Sequence, residues 1–144
     1  MIESISGIVV AVLIILLCRM LSRYFTVKLI AATNLVAIAF IYVGFSLKGN
    51  PVNLIILEVG VALILYFLAI VGYTRNVLLI AYGILLHGLW DVVHHKGVPI
   101  QTGVPGYWPT FCFVVDVVDG LFFLFLFKAQ KSRTLSSPES TAKA

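Results

Sequence analysis

Long apolar stretches separated by short polar breaks dominate the chain. Five such stretches cover about residues 5–21, 29–47, 52–73, 77–95 and 111–127. Each is close to the ~20 residues, with a range of roughly 17 to 25, that a helix needs to cross the hydrocarbon core of a bilayer. A helix satisfies its backbone hydrogen bonds within one segment, as lipid requires. The pattern therefore predicts an all-α fold, a polytopic membrane helix bundle with about five transmembrane helices.

The breaks between the stretches contain residues that end helices. The run 48–51 (Lys-Gly-Asn-Pro) follows the second stretch, and the run 74–76 (Thr-Arg-Asn) follows the third. Glycine and proline interrupt helices strongly, and a turn as short as the second one predicts an antiparallel hairpin of helices. We therefore expect one transmembrane bundle over residues 1–127, followed by a polar, disordered tail over 128–144.

Composition supports lipid as the main solvent. The chain is 61% hydrophobic and 11% charged, with a mean hydropathy of +1.09, whereas soluble domains carry about 25% charged residues. The net charge is +4, but the basic residues are spread over short connections and the tail. They do not form the basic face that nucleic-acid binding requires. We expect the lipid bilayer as a partner and no nucleic acid, and the oligomeric state stays open.

The lysines and arginines predict the orientation of the helices. Eight of the ten fall on one side of the five predicted spans. These are Arg19, Arg23, Lys28, Arg75, Lys128, Lys131, Arg133 and Lys143, against Lys48 and Lys96 on the other side. Positive charge favours the cytoplasmic side. We predict a multi-pass integral membrane protein with its N-terminus outside or lumenal and its C-terminus cytoplasmic.

Seven acidic or histidine side chains lie within the predicted helices, where such groups mark functional sites because isolated charge is costly in lipid. They are Glu58, His87, Asp91, His94, His95, Asp116 and Asp119. The spacing i, i+4, i+7 and i+8 places the four groups of the fourth helix within an arc of about 100°. The two on the fifth helix, spaced i and i+3, also share a face. With the predicted orientation, all seven lie in the outer half of the membrane.

Imidazole and carboxylate groups on facing helices are the ligands of zinc and other transition metals. We predict a site for a divalent metal ion, either zinc, iron or manganese. Its predicted ligands are His87, Asp91, His94, His95, Asp116 and Asp119. Two alternatives remain open: a metal-free acid–base or proton-relay cluster, and a structural network in which His94 and His95 cap the helix and the carboxylates pair with His87. His95 precedes Lys96 and also fits a solvated helix end.

The predicted function is that of a small membrane-embedded enzyme, metal-dependent, acting on an apolar or amphipathic small molecule by hydrolysis, isomerisation or cyclisation. Its predicted catalytic residues are Glu58, Asp91 and Asp119. Activation of water by a metal ion requires a general base, a role for Glu58 or Asp119. The alternative is a proton or divalent-cation transporter, or an accessory membrane subunit. Confinement of the charged groups to one half of the membrane argues against a path through it.

Two segments carry a resemblance to a known family. The run 87–95 (H-G-L-W-D-V-V-H-H) and the run 111–120 (F-C-F-V-V-D-V-V-D-G) resemble a family of small uncharacterised integral membrane proteins. The resemblance covers most of the chain and implies the same architecture, but it implies no activity.

Overall fold

The fold is built from helices joined by short connections. The computed structural model describes residues 1–95, 100 and 103–136. Over these residues it contains no strand and six helices: α1 Ile2–Leu21, α2 Val27–Ala39, α3 Ile41–Ser46, α4 Val52–Thr74, α5 Leu78–Val93 and α6 Trp108–Ser136. Phe40 alone separates α2 from α3, so the two form one interrupted rod. The predicted all-α bundle of five rods is confirmed.

Four of these rods are long and apolar enough to cross a membrane. They are α1, the α2–α3 rod, α4 and the part of α6 from Trp108 to Arg133. Four helices of this length and composition indicate a membrane protein. The remaining helix, α5, has 16 residues and a length of about 24 Å, which is short of the ~30 Å hydrocarbon core. The sequence predicted a full span here, but the helix ends at Val93 instead of reaching residue 95.

Two helix ends differ from their predicted positions. Helix α2 begins at Val27 because the Thr26 side chain caps it, accepting a hydrogen bond from the Leu29 amide at 3.3 Å. Helix α6 does not end near residue 127 but continues to Ser136. Residues 128–131 (Lys-Ala-Gln-Lys) all favour helix, so the helix extends into the predicted tail. The rest of that tail, 137–144, and Lys96 lie outside the described residues.

Helix α5 occupies the centre of the bundle. It packs against α6, α4 and α2, whereas α1 packs mainly against α6. The α5–α6 contact is close because α6 contributes Gly120, where a Cβ atom would lie 2.7 Å from the Leu85 side chain of α5. Small residues permit such close approach between membrane helices. The central position of α5 explains how its polar residues are removed from lipid.

The two ends of the bundle bury different side chains. We call the end where α3 and α5 finish and α4 and α6 begin the polar end, and the opposite end the apolar end. Buried residues toward the apolar end include Ala31, Ala69, Ile80 and Phe127, which belong to one hydrophobic cluster. The buried ionisable residues lie toward the polar end, as the chain positions of Glu58 and Asp91 show.

Candidate metal centre

Three ionisable side chains meet between α5 and α6. His87 and Asp91 project from one face of α5 because residues four apart lie one turn above each other, and Asp116 faces them from α6. The exposed fraction of each side chain is 2% or less. One potential ligand atom from each lies within 4.8 Å of the other two. Gly88 of α5 permits this approach, since a Cβ there would lie 3.2 Å from the Asp116 Cβ.

The His87 ring has one partnered and one unpartnered nitrogen. Its Nδ1 lies 2.6 Å from Oδ2 of Asp116. Its Nε2 is buried and has no hydrogen-bond partner among the residues that the structure describes. When Nδ1–H donates to the carboxylate, the lone pair of Nε2 points into the interior. A carboxylate that fixes an imidazole in this way is the usual support of a metal-ligating histidine.

Similarly, only one of the two Asp91 carboxylate oxygens has a hydrogen-bond partner among the described residues. Its Oδ1 accepts a hydrogen bond from the Tyr42 hydroxyl at 2.6 Å, while Oδ2 is buried without a partner within the described part of the chain. Tyr42 lies on α3 with 1% of its surface exposed. Sequence reasoning missed this residue, although a phenol within an apolar stretch, near the predicted depth of the site, was the available signal.

A second buried cluster lies beside the first. His94 Nε2 is 2.7 Å from Oε1 of Glu58, and the Trp90 indole donates to Oε2 of Glu58 at 3.1 Å. His94 Nδ1 lies 3.0 Å from the Trp90 carbonyl oxygen, which can only accept, so Nδ1 carries a hydrogen. Nε2 then either donates to ionised Glu58 or accepts from neutral Glu58. In both cases one shared proton lies between Nε2 and Oε1, and the pair is neutral overall.

Tyr42 connects the two clusters. Its hydroxyl contacts Asp91, and its ring packs on the His94 ring with centroids 4.2 Å apart and planes tilted by 32°. The centroid of the His87 ring lies 5.7 Å from that of Tyr42. Residues from α3, α4, α5 and α6 therefore form one contiguous polar region inside the polar end.

The structure brings together three of the six predicted ligands, His87, Asp91 and Asp116, and leaves the other three apart. His94 uses both ring nitrogens in the contact with Glu58 and the Trp90 carbonyl. His95 lies two residues beyond the end of α5, is exposed, and contacts the Thr110 hydroxyl at 2.9 Å. The spacing argument grouped these two histidines because it assumed a helix to residue 95.

Asp119 also lies outside the group of three. Three residues advance about 4.5 Å along a helix, which places Asp119 deeper than Asp116. Its side chain has 0% of its surface exposed, and neither carboxylate oxygen has a hydrogen-bond partner among the described residues. The other predicted catalytic groups, Asp91 and Glu58, lie in the first and second clusters respectively.

Comparisons with known proteins establish the family. Residues 2–131 match the model described as Family of unknown function (DUF6010), and the chain belongs to that family. No curated protein and no solved structure matches the chain. The expected membership of an uncharacterised family is confirmed, and the match covers the first four rods and most of α6. The chemistry has to be inferred from the residues themselves.

Proposed function

We propose that this member of a family of unknown function is a small multi-pass membrane enzyme that holds a divalent metal ion between α5 and α6. The observation that carries the proposal is the buried group of His87, Asp91 and Asp116, with ligand atoms within 4.8 Å of one another. Two buried atoms of this group, His87 Nε2 and Asp91 Oδ2, lack partners within the described residues. A buried polar atom left unsatisfied costs about 1–3 kcal/mol, and a bound cation would remove that cost for both.

The donor set favours a catalytic ion over a structural one. Structural zinc sites use four protein ligands, whereas catalytic sites keep a position open for water or substrate. His87 Nε2 and Asp91 Oδ2 would bind the ion, Asp116 would orient His87 through Nδ1 on the other side of the ring, and the remaining positions would be open to water or substrate. Imidazole suits zinc and iron, and carboxylate suits manganese, so zinc, iron and manganese are the candidate ions. Bound there, the ion would polarise a substrate oxygen or activate water.

The second cluster would supply the proton transfer. Glu58 and His94 share one proton across 2.7 Å, and Tyr42 lies between this pair and Asp91. A positioned acid–base pair of this kind assists hydrolysis, isomerisation and cyclisation alike. Because the surrounding surface is apolar, we infer an apolar or amphipathic substrate that arrives through the lipid.

The orientation proposed for the protein has the N-terminus outside or lumenal and the C-terminus cytoplasmic. The cations at the apolar end support it, since Arg23 and Lys28 flank the α1–α2 connection and Arg75 follows α4. Asp116, eight residues after Trp108, would then lie about 12 Å below the outer start of α6.

A second candidate function is transport of protons or divalent cations. The hydrogen-bonded pairs Asp116–His87 and Glu58–His94 favour it, because each pair can pass a proton between its two groups. Against it, the buried cluster toward the apolar end is hydrophobic and includes Leu35, Ile80 and Phe123, so a through path would need a large rearrangement.

The test is the metal content of the purified full-length protein. We expect close to one zinc, iron or manganese ion per chain, and loss of that ion in His87→Ala and in Asp116→Ala. His95→Ala is the matched control, since this histidine lies at the same end of the bundle but is exposed and contacts Thr110. A metal-free wild-type protein whose thermal stability does not change on addition of these ions would overturn the metal proposal in favour of proton chemistry.

A further inference from the structure

Asp119 of α6 is a buried acidic residue that neither polar cluster uses. Its side chain has 0% of its surface exposed, and neither carboxylate oxygen has a hydrogen-bond partner among the described residues. None of the ion pairs between described residues involves it. The titratable side chains of the neighbouring helix α5 have other partners. His87 contacts the Asp116 carboxylate, and Asp91 accepts a hydrogen bond from the Tyr42 hydroxyl.

The immediate surroundings of Asp119 are apolar. Val115 and Phe123, one turn before and one turn after it on the same helix, are both buried. From α1, the buried Cys18 thiol lies close enough to interact with Asp119 electrostatically. A thiol brings no positive charge and is only a weak hydrogen-bond donor. These neighbours therefore do not compensate an ionised carboxylate.

The position of Asp119 along α6 adds to the cost of ionisation. The apolar span of α6 runs from Trp108 to Arg133, and Asp119 lies close to its midpoint, far from water at either end. The Asp116 carboxylate, one turn away, interacts with Asp119 electrostatically, and like charges at this spacing repel each other. An isolated ionised carboxylate in such surroundings costs so much free energy that the group takes up a proton instead.

We propose that Asp119 is a proton-binding site, which holds one proton inside the membrane as a neutral carboxylic acid whether or not the metal centre is occupied. Ionised Asp91 and Asp116 would already balance a divalent ion, so the ion would leave no positive charge for Asp119. A protonated carboxyl group carries one O–H donor. The bundle would therefore keep a proton donor about 4.5 Å along the helix axis from Asp116. The proposal uses no metal ligand and does not rest on the proposed enzymatic function.

Infrared difference spectroscopy of the full-length protein in detergent tests the protonation state, because the carbonyl stretch of a carboxylic acid is separate from the bands of a carboxylate. At neutral pH, Asp119→Asn should lose one carboxylic acid band relative to wild type, in metal-depleted and in metal-loaded protein alike. Glu3→Gln is the matched control. The Glu3 carboxylate pairs with the N-terminal ammonium, so this variant should lose carboxylate bands only. Loss of carboxylate bands in Asp119→Asn would overturn the proposal.

Thermal unfolding of the two aspartate variants of α6 gives an independent test. Asp119→Asn keeps the shape and the neutrality of the side chain and should leave the unfolding temperature unchanged, whereas Asp116→Asn removes the charged partner of His87 and should lower it. Sodium should not stabilise wild type relative to Asp119→Asn. Stabilisation by sodium that Asp119→Asn abolishes would mean that a cation neutralises Asp119, and would overturn the proposal. If Asp119→Asn does not fold, Asp119→Glu replaces it and should shift the acid band without removing it.

Discussion

The interior of the bundle is buried at both its polar and its apolar end, but the side chains that fill the two ends differ in chemistry. Toward the apolar end, small and aliphatic side chains such as Ala69 and Ile80 fill the interior and need no partners. Toward the polar end, Glu58, Asp91 and Asp116 occupy equally buried positions. Each carboxylate there has to be matched by a histidine, a tyrosine, a proton or a cation.

The proposed function accounts for this difference as stability given up for chemistry. An apolar core would fill the polar end at least as well, since replacing buried ion pairs by hydrophobic residues is often neutral or stabilising. A buried polar region is therefore what the proposed function predicts, whereas folding alone does not require it. The cations follow the reverse distribution, because Arg23, Lys28 and Arg75 lie at the end whose interior is apolar.

The largest expected effect concerns the side of the membrane on which each end lies. Reporter fusions placed after Ser132 and within the 97–110 loop should report opposite sides, in an all-or-none manner, because the proposed orientation places the basic residues of the apolar end in the cytoplasm. A fusion after Arg75 should agree with the one after Ser132. Reports from the same side for Ser132 and the loop would mean that α6 does not cross the membrane.

The next prediction tests whether His87 and Asp116 at the polar end are energetically coupled. His87→Ala and Asp116→Ala should each lower the free energy of unfolding in detergent by about 3–5 kcal/mol, the range for breaking a buried charged pair. The double variant should lose little more than either single variant, because each substitution already strands the same partner. Strictly additive losses would mean that α5 and α6 do not share a site.

The matched control for this cycle lies at the apolar end. Ile80→Ala creates a cavity there and should cost about 2–5 kcal/mol, a loss similar to that of the histidine variant. Its metal content should nevertheless stay at the wild-type level, since no ligand moves. Loss of metal in Ile80→Ala would show that metal retention reports only general stability.

A substitution at Tyr42 should have a smaller effect, which is confined to metal affinity. Tyr42→Phe removes the hydroxyl that donates to Asp91 and keeps the ring that packs on His94. We expect metal affinity to fall about 10- to 100-fold, the usual effect of losing a group that orients a ligand, with the fold intact. Tyr82→Phe changes an exposed tyrosine of α5 and should leave metal affinity unchanged. Identical metal affinities for Tyr42→Phe and Tyr82→Phe would show that the Tyr42 hydroxyl does not support the site.

Much of this arrangement could be predicted from hydropathy and helical spacing. The five rods follow from the apolar stretches, and the i, i+4 spacing of His87 and Asp91 predicted one face directed at the helix of Asp116. The spacing argument could not distinguish His94 from His95, because a helix that ends at Val93 no longer imposes its repeat on them. Tyr42 was missed as well: its position in an apolar stretch was a signal, but its role comes from a tertiary contact with Asp91 that spacing along the chain does not specify.

The smallest expected effect concerns the packing that holds α5 and α6 together below the metal centre. Gly120 directly follows Asp119, and a Cβ there would lie 2.7 Å from the Leu85 side chain, so Gly120→Ala forces these helices apart. Overpacking of this kind costs about 1–3 kcal/mol.

Gly60→Ala on α4 is the matched control, because its Cβ would meet none of the described atoms within 4 Å. The higher helix propensity of alanine should make this control neutral or more stable by about 0.5–1 kcal/mol. Thermal unfolding of the two variants in the same detergent compares them directly. If Gly120→Ala is as stable as Gly60→Ala and retains its metal, close α5–α6 packing does not set the geometry of the site, and the ligands themselves must hold the two helices together.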